Sequence, residues 1–590
     1  MRTKLILIAS AAVILALPAI AQQPASPPPV TPSPAPAPAV AVQGQGSPAS
    51  SSPTTLPEGG ADETAVEEVS GSNQAAALIP PSPPVEYPGW ARRDPWNVGA
   101  LDPRNAGLGE APWGTADGQF LSTLMRRMRT PIASRWAHIA LRDALLAKAS
   151  SPANVNPVDW VAERSWLLLR LGEADAARML VAAVDADRFT PKMVQVGVQS
   201  ALANSDPAAL CPLEDGIRKY DAGVLALVQA MCASLAGQPE QAAAMIDHAR
   251  RYGRIGGADL ALAEKVVGAG ANGRAATIEW EPVGSLTAWR FGLATGTGML
   301  PPDRLVNGAP TQLRAFLARS PLLSPQQRLP SATVAAGLGV FSSQAMVDLY
   351  SQIYDATDPG DLGDSDSWQL RQAYVGKDAQ TRLAAIRKLL GTGKDGLQKE
   401  AARALVARAA TFVTPSSDLA SDAPELISAM LAGGYDEAAA RWIPAGNGMD
   451  SADSDRCWAM LALAAPNVAD VGTGRITSFI RRDKSRDRVR SALLVAGLAG
   501  LGRISADTAN SLNRRYDLGL GHDTSWTAMI DAAARRGQPA TVLLLTGTGF
   551  QTPVFDRVPS AHLYHSVAAL NRTGQGFTAR MIAAEALSRT

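Results

Sequence analysis

Motifs of catalysis and redox chemistry are scarce in this sequence, which has only three cysteines and five histidines in 590 residues. It contains no C-x-x-C pair, no H-E-x-x-H, no G-x-S-x-G, no phosphate-binding loop and no G-x-G-x-x-G in a strand–helix setting. The usual zinc, disulfide-exchange, serine-hydrolase and nucleotide-dependent chemistries therefore have no support. The sequence predicts no catalytic residue, no metal site and no cofactor.

The sequence also lacks a clear excess of positive or negative charge, because it has 55 basic and 54 acidic residues. A nucleic-acid partner would need a sustained basic surface, so none is expected. The richest basic segment is RRDKSRDRVR, residues 481–490, in which Asp483 and Asp487 are interleaved. This pattern is typical of a solvated turn and helix start with weak local ion pairs. A docking site for an acidic partner is the alternative.

The N-terminus has the layout of a secretory signal peptide, residues 1–21. Arg2 and Lys4 precede an apolar run over residues 5–17, and small residues end at Ala21. A membrane anchor is the alternative, but this run falls short of the roughly 20 residues that cross a bilayer. No later segment is apolar enough to span one, so membrane contact is expected to be indirect. We expect cleavage near Ala21 and a periplasmic or otherwise exported protein.

Residues 22–88 form a predicted disordered linker. Proline, alanine and serine dominate it, as in PSPAPAPA at residues 32–39. Such a composition offers too few large apolar groups to offset chain entropy, and its prolines favour extended backbone. The segment is a spacer or, equally, unselected low-complexity sequence; whether it anchors to a surface is open.

The remaining residues, 89–590, predict an all-α fold. In residues 160–184 large apolar side chains recur at steps of three and four, with a turn at Gly172 between two helical runs. A turn glycine followed by small and large apolar residues at the same offsets returns at Gly237, Gly434, Gly537 and Gly574. In a second variant Gly339 and Gly502 precede the helix-capping residues Ser342 and Ser505. A stack of helix hairpins can reach the length of residues 89–590, because each hairpin packs only on its neighbours and no single core has to grow.

The turn glycines Gly502, Gly537 and Gly574 lie 35 and 37 residues apart, which is the spacing of helix-hairpin repeats. With LRLGEADAARML at residues 169–180, where a small residue follows a Leu-Gly turn, the chain resembles tetratricopeptide-like α-solenoid proteins. This resemblance implies a superhelical scaffold whose concave face binds peptides or proteins. An irregular α-helical bundle of two domains is the alternative.

The cysteines raise the question of a disulfide, because an exported chain meets an oxidising compartment. Cys211 and Cys232 would lie across from each other in an antiparallel helix hairpin, so we predict a bond between them. Two buried free thiols are the alternative. Cys457 has apolar neighbours and is expected to pack in the core.

Two polar clusters are candidate metal sites. His562 and His565 would share one side of a helix, and residues 355–367 carry five aspartates. The histidines lack a visible third ligand, and the aspartates miss the spacing of a calcium cage. We expect a partly exposed helix face and a solvated, helix-capping loop.

Residues 86–114 are unusually rich in tryptophan and arginine, and we treat residues 89–130 as an irregular entry or cap segment. Such a composition is typical of binding hot spots, but also of a strap that covers the end of a repeat array. The cap is the favoured interpretation. The candidate partner-binding residues are Trp90, Arg92, Arg93, Trp96 and Trp113.

Two functions follow from these observations. The first is a non-enzymatic periplasmic scaffold or protein-interaction protein of the bacterial cell envelope, with a protein partner of unknown identity. The alternative is a cell-wall or polysaccharide-active enzyme with an unrecognised site. Helical periplasmic lytic transglycosylases are similar in layout, but they need a protonated glutamate, and no compact glutamate motif follows the helices here. The oligomeric state is open.

Overall fold

The computed structural model describes residues 88–219, 221–270, 276–449, 451–467 and 471–590. The predicted signal peptide, residues 1–21, and the linker, residues 22–88, lie outside these ranges apart from Pro88. The described residues fall into two units. Residues 92–590 form the body, and residues 88–91, which contain a 3-10 turn at Gly89–Ala91, belong to the other unit.

The body is helical, as predicted, with 27 α-helices and one small sheet among its described residues. In the sheet β1 (Asn97–Val98) pairs antiparallel with β2 (Ala149–Ser150). The helices are α1 (Gly118–Arg127), α2 (Arg135–Leu146), α3 (Pro157–Leu171), α4 (Ala174–Ala182), α5 (Pro191–Ala203), α6 (Glu214–Ile217), α7 (Ala222–Leu235), α8 (Pro239–Tyr252), α9 (Gly257–Gly270), α10 (Ala288–Gly296), α11 (Asp303–Asn307), α12 (Thr311–Leu317), α13 (Pro325–Leu338), α14 (Ser343–Asp355), α15 (Asp366–Val375), α16 (Ala379–Leu390), α17 (Gly396–Ala410), α18 (Ala423–Ala432), α19 (Asp436–Ala440), α20 (Ser451–Ala464), α21 (Thr473–Arg482), α22 (Val489–Gly500), α23 (Ala506–Tyr516), α24 (Ser525–Arg535), α25 (Pro539–Gly549), α26 (Ser560–Arg572) and α27 (Gly576–Ser588).

The turn chemistry expected from the sequence is confirmed. Gly172 ends α3 in the left-handed conformation, with φ at 108°, and its amide bonds back to the last turn of the helix. Ser342 and Ser505 cap α14 and α23 by accepting hydrogen bonds from first-turn amides. The other predicted turn glycines also have positive φ: Gly237, Gly339, Gly434, Gly502, Gly537 and Gly574.

Two apolar cores hold the body together. The larger draws residues from position 98 to position 586, and the smaller lies between positions 194 and 294. Helix α2 is central to the larger core, because 11 of its 12 residues are buried. It packs against α3 and α13, and also against α25 and α27 near the C-terminus. Within the described ranges, none of the helices is both long and apolar enough to cross a membrane.

The N-terminus of α2 is fixed by a carboxylate from α27. Glu585 accepts hydrogen bonds from the Ser134 hydroxyl at 2.6 Å and from the Arg135 and Trp136 amides at 2.8 and 3.2 Å. The negative charge also suits the positive end of the α2 dipole. We call these four residues the α2 junction. It joins an early helix to the last one.

The side chain of Arg135 extends the α2 junction to two further helices. Its guanidinium donates to the carbonyl oxygens of Ala336 at 3.1 Å and Ala432 at 2.6 Å, which lie in the last turns of α13 and α18. Burial lowers the pKa of Arg135 below its ordinary value, although Glu585 and Glu400 act in the opposite direction. The charged side chain is therefore held inside the core by backbone acceptors and two nearby carboxylates.

The smaller core contains a disulfide between Cys211 and Cys232, whose Cα atoms are 5.7 Å apart. Cys211 lies in the 3-10 helix Pro207–Leu213 and Cys232 in α7. The bond therefore ties α7 to the segment that precedes it.

Cys457, in α20, packs in the larger core with 1% of its surface exposed. Burial raises the pKa of its thiol to about 12. The reactive thiolate is therefore rare at neutral pH, and reagents cannot reach the sulfur.

These cysteines give a thiol-counting prediction. The chain isolated from an oxidising compartment without reductant should show no reactive thiol when native, and one thiol, Cys457, after denaturation. Reduction in denaturant should then expose all three cysteines. The measurement is alkylation followed by peptide mass spectrometry, with Cys457→Ala as the control that removes the single thiol. Alkylation of Cys211 and Cys232 in unreduced, denatured protein would contradict the bond.

Candidate functional site

A cleft of about 1530 Å³ opens in the C-terminal part of the body. Its walls come from α17, α20 and the turn between α21 and α22, and from residues 554–560 and 587–590. We call it the basic cleft. Its lining includes ten basic and five acidic side chains, an excess of five positive charges in a chain whose net charge is +1. The basic side chains are Lys399, Arg403, Arg456, Arg481, Arg482, Lys484, Arg486, Arg490, Arg557 and Arg589.

Some of these cations are neutralised by nearby carboxylates. Arg403 bonds to Glu400 at 2.6 Å and to both oxygens of Glu425 at 2.9 and 3.1 Å. Burial alone would lower the pKa of Arg403, but Glu400 and Glu425 outweigh it and raise the pKa. In the same way Arg482 bonds to both oxygens of Asp455. These pairs hold the wall helices together and leave little charge for a ligand.

Four other cations are exposed and make no ion pair with any residue of the described ranges. We call them the rim cations: Lys399, Arg481, Lys484 and Arg557. They come from three separate parts of the chain, namely α17, the end of α21 with its following turn, and the 3-10 turn Phe555–Arg557. Because each is hydrated and unpaired, the cleft is suited to a ligand that carries several negative charges.

The basic turn between α21 and α22 is held in place by Asp483. Its carboxylate accepts hydrogen bonds from the Ser485 amide at 2.8 Å and from the Ser491 amide and hydroxyl at 2.9 and 2.6 Å. Burial on its own would raise the pKa of Asp483, but these hydrogen bonds outweigh it and lower the pKa below the ordinary 3.8. The turn is therefore a fixed structure.

The same turn contains two consecutive non-glycine residues with left-handed backbone. Asp487 and Arg488 both have φ at 51°. Each such residue costs on the order of 1 kcal/mol or more, and strain of this kind is concentrated at functional sites. The strained turn carries Lys484 and Arg486 at the cleft. The backbone geometry thus singles out the same surface as the charges do.

The sequence had pointed to only part of this cleft. The pattern of residues 481–490 predicts a solvated turn and helix start, and the structure shows that turn followed by α22. Lys399, Arg557 and Arg589 carried no local signal, because each stands alone in its segment. Their approach to residues 481–490 follows from tertiary packing alone.

The predicted partner-binding arginines lie in a strap, residues 92–117, that runs over the body. Arg92 bonds to Asp187 at 2.5 Å. The Arg93 amide donates to Asp185 at 3.1 Å, and its guanidinium donates to the Ala182 carbonyl oxygen. Both arginines therefore attach the strap to the segment after α4.

The predicted tryptophans are not equivalent. Trp113 is 2% exposed and packs edge-on against Trp160, with ring centroids 5.1 Å apart. Trp96 and Trp90 are 57% and 89% exposed. The five candidates therefore do not form one exposed surface, and Trp113 cannot contact a partner while it is buried. Partner binding by Trp90 and Trp96 stays a prediction.

The strap is shorter than the irregular segment expected over residues 89–130. Asp117 accepts a hydrogen bond from the Phe120 amide and starts α1 at Gly118, so residues 118–127 are helical. Further bonds fix the strap, including one from Arg164 in α3 to the Val98 carbonyl oxygen at 2.7 Å. The strap thus covers the body as a cap would.

The histidines of the first polar cluster contact other groups. His562 approaches the Gly549 carbonyl oxygen and its ring lies tilted at 34° against the Trp526 ring, and His565 bonds to Asp531 at 3.0 Å. The five aspartates lie in and beside the loop that joins α14 to α15. No group of three or more His, Cys, Asp or Glu side chains in the described part of the chain is arranged to hold a metal ion.

Comparison of the chain with protein-family models, with curated proteins and with solved structures found no match. The resemblance to tetratricopeptide-like proteins therefore rests on the turn glycines and their spacing. Function has to be argued from the chemistry of the site itself.

Proposed function

We propose that this chain is an exported, non-enzymatic interaction scaffold of the bacterial cell envelope, and that its basic cleft receives an acidic segment of a protein partner. The observation that carries the proposal is the set of four rim cations, which are exposed, make no ion pair with the described residues and come from three parts of the chain. Complementary charge gives such a site its specificity and its association rate.

A peptide suits the cleft better than an anionic lipid does. The apolar side chains at its base, such as Met460, Leu493 and Phe555, are at most 3% exposed because they already pack in the core. Of the large apolar side chains that line the cleft, Val554 is exposed, at 41%, so an acyl chain would find a single exposed large apolar side chain there. A chain of carboxylates needs only the charged rim.

The solenoid arrangement and the export of the chain are part of this proposal. Sequential hairpins such as α3 with α4, α17 with α18 and α26 with α27 support a scaffold of repeated units. The packing of α2 on α25 and α27 adds contacts between early and late helices, which an open array lacks. In the periplasm such a scaffold would be accessible to envelope proteins.

Binding of a labelled oligoglutamate peptide tests the cleft. Fluorescence anisotropy should show binding to the full chain that weakens as salt is added, because exposed charges are screened. The triple variant Arg481→Glu, Lys484→Glu, Arg557→Glu should bind at least about tenfold more weakly, since each exposed pair contributes on the order of 0.2–1 kcal/mol and is replaced by repulsion.

The matched control is Arg127→Glu, Lys377→Glu, Arg536→Glu, which changes the net charge equally at exposed positions that do not line the cleft. It should bind as the wild type does. If both triple variants weaken peptide binding equally, the change in net charge alone explains the effect, and a specific site in the cleft is refuted. In pull-downs from envelope extract, a stoichiometric partner should be lost with the cleft variant and kept with the control.

The alternative of a polysaccharide-active enzyme rests on carboxyl groups outside the basic cleft, since burial raises the pKa of Glu173, Asp175 and Glu214. Glycoside hydrolysis needs a protonated carboxyl group beside the substrate. In the cleft, the pKa of Asp483 is lowered, which is the wrong direction for a general acid. Burial does raise the pKa of Glu173, but this residue is 0% exposed and out of reach of a substrate. Glycan turnover by the purified protein would nevertheless refute the proposal that the chain is a non-enzymatic scaffold.

A further inference from the structure

We propose that a second copy of this chain supplies an acidic segment for the basic cleft. The segment is the acidic loop, residues 355–366, between α14 and α15. This inference rests on the proposed function, because it uses the same cleft and names one occupant for it. The contact joins two different surfaces, so each copy offers both a cleft and a loop.

The acidic loop carries the highest density of carboxylates in the described part of the chain. It contains five aspartates and no basic residue: Asp355, Asp358, Asp361, Asp364 and Asp366. The first four are exposed. The only ion pair found for this loop within the described ranges joins Asp364 to Lys388 at 3.8 Å. Most of its negative charge is therefore available to another molecule.

The backbone of the acidic loop is ordered by its own hydrogen bonds. The Asp361 amide donates to the Asp358 carbonyl oxygen at 2.9 Å, and the Ser365 amide donates to the Leu362 carbonyl oxygen at 2.9 Å. Ser365 also caps α15. A loop that is already shaped loses little conformational entropy on docking, which favours binding.

The charges of the two surfaces match in number. The cleft offers the four rim cations, and the loop offers four exposed aspartates, of which Asp364 has an ion pair within the described ranges. The whole chain is close to neutral, at +1, so like-charge repulsion between whole molecules is small. Attraction between these two patches is then the main electrostatic term when two copies meet.

A contact between unlike surfaces does not stop at two copies unless it closes into a ring. We therefore expect the average mass to rise with protein concentration and to fall back to one chain at high salt. Screening is strong there, because the Debye length shortens from about 10 Å at 0.1 M to about 3 Å at 1 M ionic strength.

Sedimentation velocity of the full chain at low salt tests the inference with two variants. The loop variant is Asp355→Asn, Asp358→Asn, Asp361→Asn, and the cleft variant is Arg481→Glu, Lys484→Glu, Arg557→Glu. Each alone should remain one chain at concentrations where the wild type associates. An equimolar mixture should form pairs and nothing larger, because the loop variant keeps an intact cleft and the cleft variant keeps an intact loop.

Two results would overturn the inference: a wild type that stays monomeric at all concentrations, or a mixture that does not pair. A further variant, which neutralises the five carboxylates between Glu58 and Glu68 outside the described residues, should associate as the wild type does. If that variant alone loses association, the loop is not the occupant.

Oligoglutamate binding separates this inference from the proposed function. If the peptide binds the cleft and the mixture fails to pair, the partner is another protein and only the self-association is refuted. If the peptide binds the wild type and the cleft variant equally, the basic cleft is not the binding site and the proposed function is refuted.

Discussion

Replacing Glu585 with alanine should lower the stability of the body by about 3–5 kcal/mol, the range found when one partner of a buried charged group is removed. The substitution leaves the Ser134 hydroxyl and the first amides of α2 without their acceptor. It also removes the carboxylate that bonds to Arg589 at 2.8 Å and lies close to the buried Arg135. Glu585 is only 6% exposed, so bulk solvent does not hydrate these groups in the native body.

Thermal and urea unfolding followed by circular dichroism measure this loss. Glu437→Ala is the matched control, because Glu437 is an exposed glutamate in the first turn of α19 and should change stability by about 0.5 kcal/mol or less. If the two variants unfold alike, the contact between α2 and α27 contributes little. A selective loss would show that the early and late helices of the body stabilise each other.

Replacing Trp113 with alanine should cost about 3–5 kcal/mol, the usual range for a buried aromatic residue that leaves a cavity. Its ring fills the space beside Trp160, and its carbonyl oxygen faces the hydroxyl of Thr541 in α25. The strap would lose its main apolar anchor. The melting temperature should therefore fall clearly.

Trp96→Ala is the control from the same strap, since Trp96 is 57% exposed and its removal should change stability by less than about 1 kcal/mol. This pair of variants decides between the two interpretations of the tryptophan-rich segment. A cap requires the large loss at Trp113. A binding strip predicts instead that Trp96→Ala abolishes capture of a partner while stability is unchanged.

The local features of the fold were predictable because short-range physics decides them. Gly172 and the other turn glycines adopt positive φ, and Ser342 and Ser505 cap their helices. Each of these outcomes depends on residues within about one turn of the helix. The disulfide joins Cys211 to Cys232, which lie 21 residues apart, so it links two neighbouring segments of the chain.

The tryptophans show where composition stops being informative. Trp96 and Trp113 occur in the same irregular segment, yet one is 57% exposed and the other 2%. The difference depends on which part of the strap faces Trp160, a residue on another element. The residues near Trp113 in the sequence do not predict its contact with Trp160.

The helical nature of the body and the helix boundaries at the turn glycines, Ser342 and Ser505 follow from the sequence, because side-chain spacing and capping act over a few residues. The capping of α2 by Glu585, and the approach of Lys399 and Arg557 to residues 481–490 around one cleft, depend on tertiary packing. Those contacts join residues far apart in the chain. They depend on how whole helices pack, which no local pattern encodes.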